Sequence, residues 1–190
     1  MPIRNAIHID RRVRSVNAPP EAVFRVICRM GGKYGWFSPR WMWWARGWMD
    51  RMIGGPGLAM GRRHPETLRV GDILDCWHVA GMEPDRRLEL HALMKLPGQG
   101  MLVFTIDAEQ GPSRTTLLTQ SAEFAPSGFL GTLYWMSLLP AHDYVFGSMI
   151  RGIARAAERE AGAAPVRATR AVTGSTLPAR AAECESIDQT

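Results

Sequence analysis

The sequence predicts an α+β fold, a grip in which a curved antiparallel sheet wraps a long C-terminal helix, with two helices after the first strand. Three observations lead there. From about residue 68 to 124, four apolar runs alternate with period two and are separated by short turns, the pattern of an antiparallel meander. Residues 129–160 instead repeat apolar side chains at helical spacing, and so long an apolar helix must lie against the one sheet available. Between the first strand and that meander, GGKYGWFSPRWMWWARGWMDRMIGGPG (residues 31–57) holds five of the seven tryptophans between two glycine clusters.

Each element has its own signal. Ile7 to Val16 alternates loosely through Ile9 and Val13 and reads as the first strand, ended by Asn17-Ala18-Pro19-Pro20. Pro20-Glu21 opens a helix with Ala22, Val23, Val26, Ile27 and Met30 on one side, stopped at Gly31-Gly32. Ser38 before Pro39 is an N-cap followed by proline at the first helical position. On the helix that follows, Trp41, Met42, Trp44, Ala45, Trp48, Met49, Met52 and Ile53 share one broad face, and Trp43, Arg46, Gly47, Asp50 and Arg51 fall on the other. That apolar face is too large to leave in water, since each Trp buries roughly 150–250 Å². What it packs on is the functional question.

The meander follows. Leu68 to Gly81 reads as strand with a break at Gly71-Asp72. Arg87 to Lys95 places Leu88, Leu90, Ala92 and Met94 on one face. Leu102, Phe104 and Ile106 share a face of the next strand, and Leu118, Gln120, Ala122 and Phe124 of the last, with a turn at Gln110-Gly111-Pro112-Ser113 between them. The terminal helix carries Leu130, Leu133, Tyr134, Leu138, Val145, Phe146, Met149, Ile150 and Ile153, and Pro140 is expected to kink or split it. Residues 1–160 form one domain on this reading. Residues 161–190 hold too few large apolar residues to fold and read as a disordered Ala/Thr/Arg-rich tail.

Composition excludes several classes. The apolar and charged fractions, 46% and 22%, are those of an ordinary globular domain with a sizeable core. Residues 1–63 carry 12 Lys/Arg against 3 Asp/Glu, which could suit an anionic partner, but no basic run exceeds two and no nucleic-acid motif accompanies it. Cys28, Cys76 and Cys184 form no CxxC and no zinc spacing, so neither a disulfide framework nor a metal site is indicated, and no cofactor motif is present. The N-terminus lacks a secretory apolar run and no window reaches the roughly 18 apolar residues of a spanning helix. A cytoplasmic setting is expected.

The segments VFRVICRMGGKYGWF (23–37), WMDRMIGGPGLAMGRR (48–63), LRVGDILDCWHV (68–79), LTQSAEFAPSGFLGTLYW (118–135) and MIRGIARAAE (149–158) resemble a bacterial family of uncharacterised domains in the START-like, helix-grip (SRPBCC, polyketide-cyclase-like) superfamily. The resemblance covers about residues 8–160. It implies the grip fold and ligand binding, and it carries no established catalytic residue. In that family the domain often follows an atypical short-chain-dehydrogenase-like NAD(P)-binding domain, whereas this chain has no strand-GxGxxG-helix unit.

Three functions of different class follow. A sheet wrapped on a helix encloses a space suited to a small apolar molecule or lipid, of ~300–1,000 Å³. Its expected lining is Trp41, Trp44, Trp48, Trp77, Phe104, Gln120, Tyr134 and Leu138, with Met42, Met49 and Met52 at the mouth. Gln120 needs a buried hydrogen-bond partner. A cyclase-like enzyme would instead require at least two inward polar groups near one point. Gln120, His78 and His142-Asp143 are the candidates, although periodicity does not decide whether Trp77 or His78 faces inward, and adjacent helical residues diverge. Lastly, the tryptophan helix could dock on a separately encoded NAD(P)-binding protein or, through Arg40, Arg46 and Arg51 beside its indoles, on a membrane surface. No G-x-S-x-G, HExxH or SxxK motif supports a hydrolase.

Overall fold

The computed structural model describes residues 8–52, 54, 55, 57, 62–109 and 115–163. Strands β1 (His8–Val16), β2 (Ile73–Leu74), β3 (Trp77–Glu83), β4 (Arg87–Ala92), β5 (Gly98–Ala108) and β6 (Thr116–Pro126) form one curved sheet in the order β1-β6-β5-β4-β3-β2. Every pairing is antiparallel. Helices α1 (Pro20–Cys28) and α2 (Arg40–Met52) follow β1, and α3 (Gly128–Ala163) runs along the sheet after β6. This is the helix grip that the alternation of the meander and the helical spacing after residue 128 dictate. The expected strand start at Ile7, the turn at Gln110-Gly111-Pro112-Ser113, Ile53 of the tryptophan helix and the tail from residue 164 onward lie outside the described residues.

Period-two faces meet period-3.6 faces to make the core. Leu88, Leu90, Leu102, Phe104, Ile106, Leu118, Ala122 and Phe124 turn inward from the sheet. Met149, Ile150, Ile153, Ala154 and Ala157 of α3 and Val23, Val26 and Ile27 of α1 close on them. The C-terminal half of α3 is tied to α1 by Glu160, whose carboxylate accepts from Arg25 Nε (2.8 Å) and Arg29 Nη1 (2.9 Å). Pairs this exposed are worth little in energy but fix which end of α3 lies against α1.

Five expectations need correction. β1 turns His8, Asp10 and Arg12 toward α3 and leaves Ile9 and Val13 more than half exposed. The strand is covered by a helix that meets it with charge: Arg12 bridges Asp10 at 2.8 Å and Asp143 at 3.1 Å. The stretch from Leu68 forms strand only at β2 and β3. Asp75, at φ 54°, turns the chain between them, so Leu74, Cys76, Trp77 and Val79 are all buried and the period breaks. That turn also answers the orientation question: Trp77 is inward and His78 half-exposed. Pro140 does not split α3, which is continuous through it. The carbonyl of Met136 that would have bonded the missing N–H lies on an exposed turn where water can serve it. Leu130 and Leu133 face solvent rather than the core.

The fifth correction concerns the tryptophan helix. Ser38 does not cap α2, which starts at Arg40; its hydroxyl accepts from Trp43 Nε1 at 2.7 Å and donates to the Trp36 carbonyl. More consequentially, α2 is turned inside out. Its buried residues are Gly47 and Asp50, while Trp41, Trp44, Trp48 and Met52 are 63–75% exposed. The Asp50 carboxylate is fully buried and accepts from the backbone N–H of Gly57 (2.8 Å) and Lys95 (2.9 Å). Arg46, one turn earlier, stands 3.7 Å away. Two amide donors and a cation offset the loss of hydration. Gly55 lies so close to this carboxylate that a Cβ there would collide with it. α2 is thus pinned by one buried acid and by the Trp43–Trp36 stack, 5.0 Å between rings, rather than by its apolar face.

Candidate functional site

Between α2, the edge of the inward sheet face and the N-terminal half of α3 lies a partly open cavity of about 240 Å³. It is smaller than the lower end of the expected range. The α2 wall is Trp41, Met42, Trp43, Ala45, Arg46 and Met49. Trp77, Met94, Leu96, Met101, Ala122, Glu123 and Phe124 form the floor. From α3 come Tyr134, Leu138, Ala141, His142 and Val145, residues three or four apart that make one helical stripe, with Trp135 and Phe146 beside it. The walls are almost wholly carbon and sulfur.

The expected lining divides. Trp41, Trp77, Tyr134 and Leu138 are brought together around this cavity. Trp44 and Trp48 are not; with Trp41 and Ala45 they flank only a shallow depression on the outer side of α2. Phe104 is fully buried in the core and does not line the cavity. Gln120, 1% exposed, is also absent from the lining, and its Oε1 has no partner among the described residues. Met42 and Met49 line the space, and Met52 points to solvent.

Residue reading overlooked Arg46, Met94, Leu96, Met101, Ala141 and Val145. Met94 and Leu96 lie beyond the end of β4, and Met94 continues its inward alternation, so that signal was available. Arg46 carried none, because a wheel drawn for water assigns it to the outer face. Around it sits the polar corner of the cavity. Burial pushes the Tyr134 phenol above its ordinary range, partly offset by the charge of Arg46 and a hydrogen bond with it. On α3, the His142 ring packs between those of Trp135 (4.6 Å) and Phe146 (5.2 Å), tilted to both. Burial holds its imidazole below the ordinary value, while Asp10 and Arg12 pull in opposite directions. Its Nδ1 is buried without a partner among the described residues. Asp143 diverges to the surface and pairs with Arg12, so the two do not act as a dyad.

The chemistry this permits is narrow. Cys28 and Cys76 are pushed up by burial, to about 11 and about 12, and stay protonated thiols. Among the described residues no group of three or more His, Cys, Asp or Glu could hold a metal ion. No helix there is long and apolar enough to cross a membrane. What remains is an apolar slot with one cationic, hydroxyl-bearing corner.

Solved structures with a similar arrangement share little sequence. A solution structure from Thermobifida fusca has 16% identity and a TM-score of 0.49, covering 80% of this chain and 93% of its own. Norcoclaurine synthase from Thalictrum flavum, in complex with dopamine and hydroxybenzaldehyde, has 12% identity and a TM-score of 0.45, covering 78% and 84%. CalU16 from Micromonospora echinospora has 15% identity and a TM-score of 0.39, covering 82% and 94%. No curated protein matches the chain. A family model described as protein of unknown function (DUF2867) matches residues 2–149, which is most of the chain, and the protein belongs to that family.

Proposed function

We propose that the protein binds a small, largely apolar molecule in the cavity between α2 and α3, with an oxygen acceptor of that molecule turned toward Arg46 and Tyr134. The observation that carries this is the lining itself. Tryptophan, methionine and leucine side chains from three separate elements surround a space that they leave unfilled, and protein interiors otherwise pack to crystal-like density. Methionine makes such a wall adaptable. The volume favours a compact ligand of one or two fused rings over a long acyl chain. A cyclase-like reaction has weaker support. Arg46, Tyr134, His142 and Glu123 border the same space, but the lining is otherwise apolar, and Asp50 beside Arg46 is sealed by the Gly57 and Lys95 amides.

Methionine-methyl NMR of the full chain titrated with 2-naphthoate tests the reading. The methyls of Met42, Met49, Met94 and Met101 are expected to shift along one saturation curve, while buried Met30 and Met149, which lie outside the cavity, stay in place. Shifts confined to exposed Met52, or none at all, would overturn it.

A further inference from the structure

The outer face of α2 carries Trp41, Trp44 and Trp48, one continuous stripe at 67%, 75% and 63% exposure, extended by Met52 at 68%. The first turns of α3 hold Phe129 and Leu130 at 79% and 72% exposure. Monomeric proteins rarely leave more than a few hundred Å² of contiguous apolar surface in water, and each exposed indole presents a large part of its roughly 150–250 Å². Charge is sorted to match. The single acid of α2, Asp50, is buried, and the charges it shows to solvent are Arg40 and Arg51. From Gly128 to Ala141, α3 carries no Asp, Glu, Lys or Arg at all.

We infer that this face is a docking surface for an anionic lipid bilayer. Indoles prefer the depth of the headgroups, where an apolar body and a polar N–H are both satisfied. A helix lying in the interface with aromatic side chains inward and arginines at its edge gains from both burial and headgroup charge. A second copy of this chain fits less well. Two-fold pairing of α2 on α2 sets like stripes, each with Arg40 at one end and Arg51 at the other, against one another with no acid on the face to meet them. Headgroup phosphates supply the missing anions. Trp41 belongs both to this stripe and to the cavity wall, so a bilayer that covers the stripe also reaches the edge of the slot. The docking itself stands on the exposed face and not on what fills the cavity.

Flotation of the full chain with vesicles tests this. The protein is expected to float with phosphatidylcholine vesicles containing about 30% phosphatidylglycerol at least about tenfold more than with pure phosphatidylcholine, because each arginine near an anionic surface is worth about 1 kcal/mol. Trp44→Ser with Trp48→Ser should abolish flotation and leave the urea midpoint unchanged, since both indoles already face solvent. Arg40→Gln with Arg51→Gln should remove only the preference for anionic vesicles. The inference is overturned if the full chain ignores both vesicle types, or if the tryptophan pair can be replaced without loss of flotation. It is equally overturned if the chain is a dimer in light scattering that the same pair converts to monomer. Naphthoate-induced shifts at Met94 and Met101, read in the same variants, report on the cavity separately, so the failure of one reading is distinguishable from that of the other.

Discussion

His142 shows how a single side chain carries information that spacing does not. It stands on α3 between two aromatic rings, at a cavity wall, and burial holds it neutral in the native state. The unfolded chain takes up a proton as pH falls through about 6.5. Below that value the unfolded state binds more protons than the native one, so native stability is complete above it and is lost as pH drops toward the depressed native value. Urea unfolding is expected to show a midpoint that falls between about pH 7 and about pH 5, before carboxylates begin to titrate. His142→Phe should flatten that region; an unchanged slope would place the titration elsewhere. Asp50 and Arg46 are the residues that the sequence concealed. A lone acid on an amphipathic wheel reads as solvated because the wheel assumes water on its polar side. Here the polar side meets two backbone amides, and nothing in residues 40–52 announces them.

At the scale of elements, the inner strands and α1 were legible, because alternation at Leu88, Leu90, Leu102, Phe104 and Ile106 and helical spacing at Val23, Val26 and Ile27 each have one physical reading. β1 and the N-terminal turns of α3 were not. Their inward faces are set by what crosses them: a salt bridge in one case and a cavity mouth in the other. The placement of α3 depends on close approach. A Cβ at Gly152 would lie 2.6 Å from the Cβ of Phe37 and 2.9 Å from its carbonyl, whereas at Gly162 nothing among the described residues lies within 4 Å. Glycine inside a helix ordinarily costs roughly 0.5–1 kcal/mol relative to alanine. Gly162→Ala should therefore stabilise slightly, and Gly152→Ala should destabilise by about 1–3 kcal/mol through overpacking. Equal effects in urea unfolding would mean that α3 does not approach Phe37 as described.

The whole molecule divides along α3. Its C-terminal half is core, with Met149, Ile153, Ala154 and Ala157 fully buried, and is fastened to α1 through Glu160. Its N-terminal half passes over a space closed on the far side by α2, a helix that faces the protein with Asp50 and the solvent with tryptophan. Rigid grip at one end and an apolar slot at the other is the division a binding protein needs, and it makes occupancy of the slot the decisive quantity. Native mass spectrometry of the full chain purified from its own host measures that occupancy directly. A discrete added mass is expected that is released on denaturation and is absent from Leu138→Trp, whose indole fills the slot. Bare protein, or an added mass that Leu138→Trp retains, would contradict it.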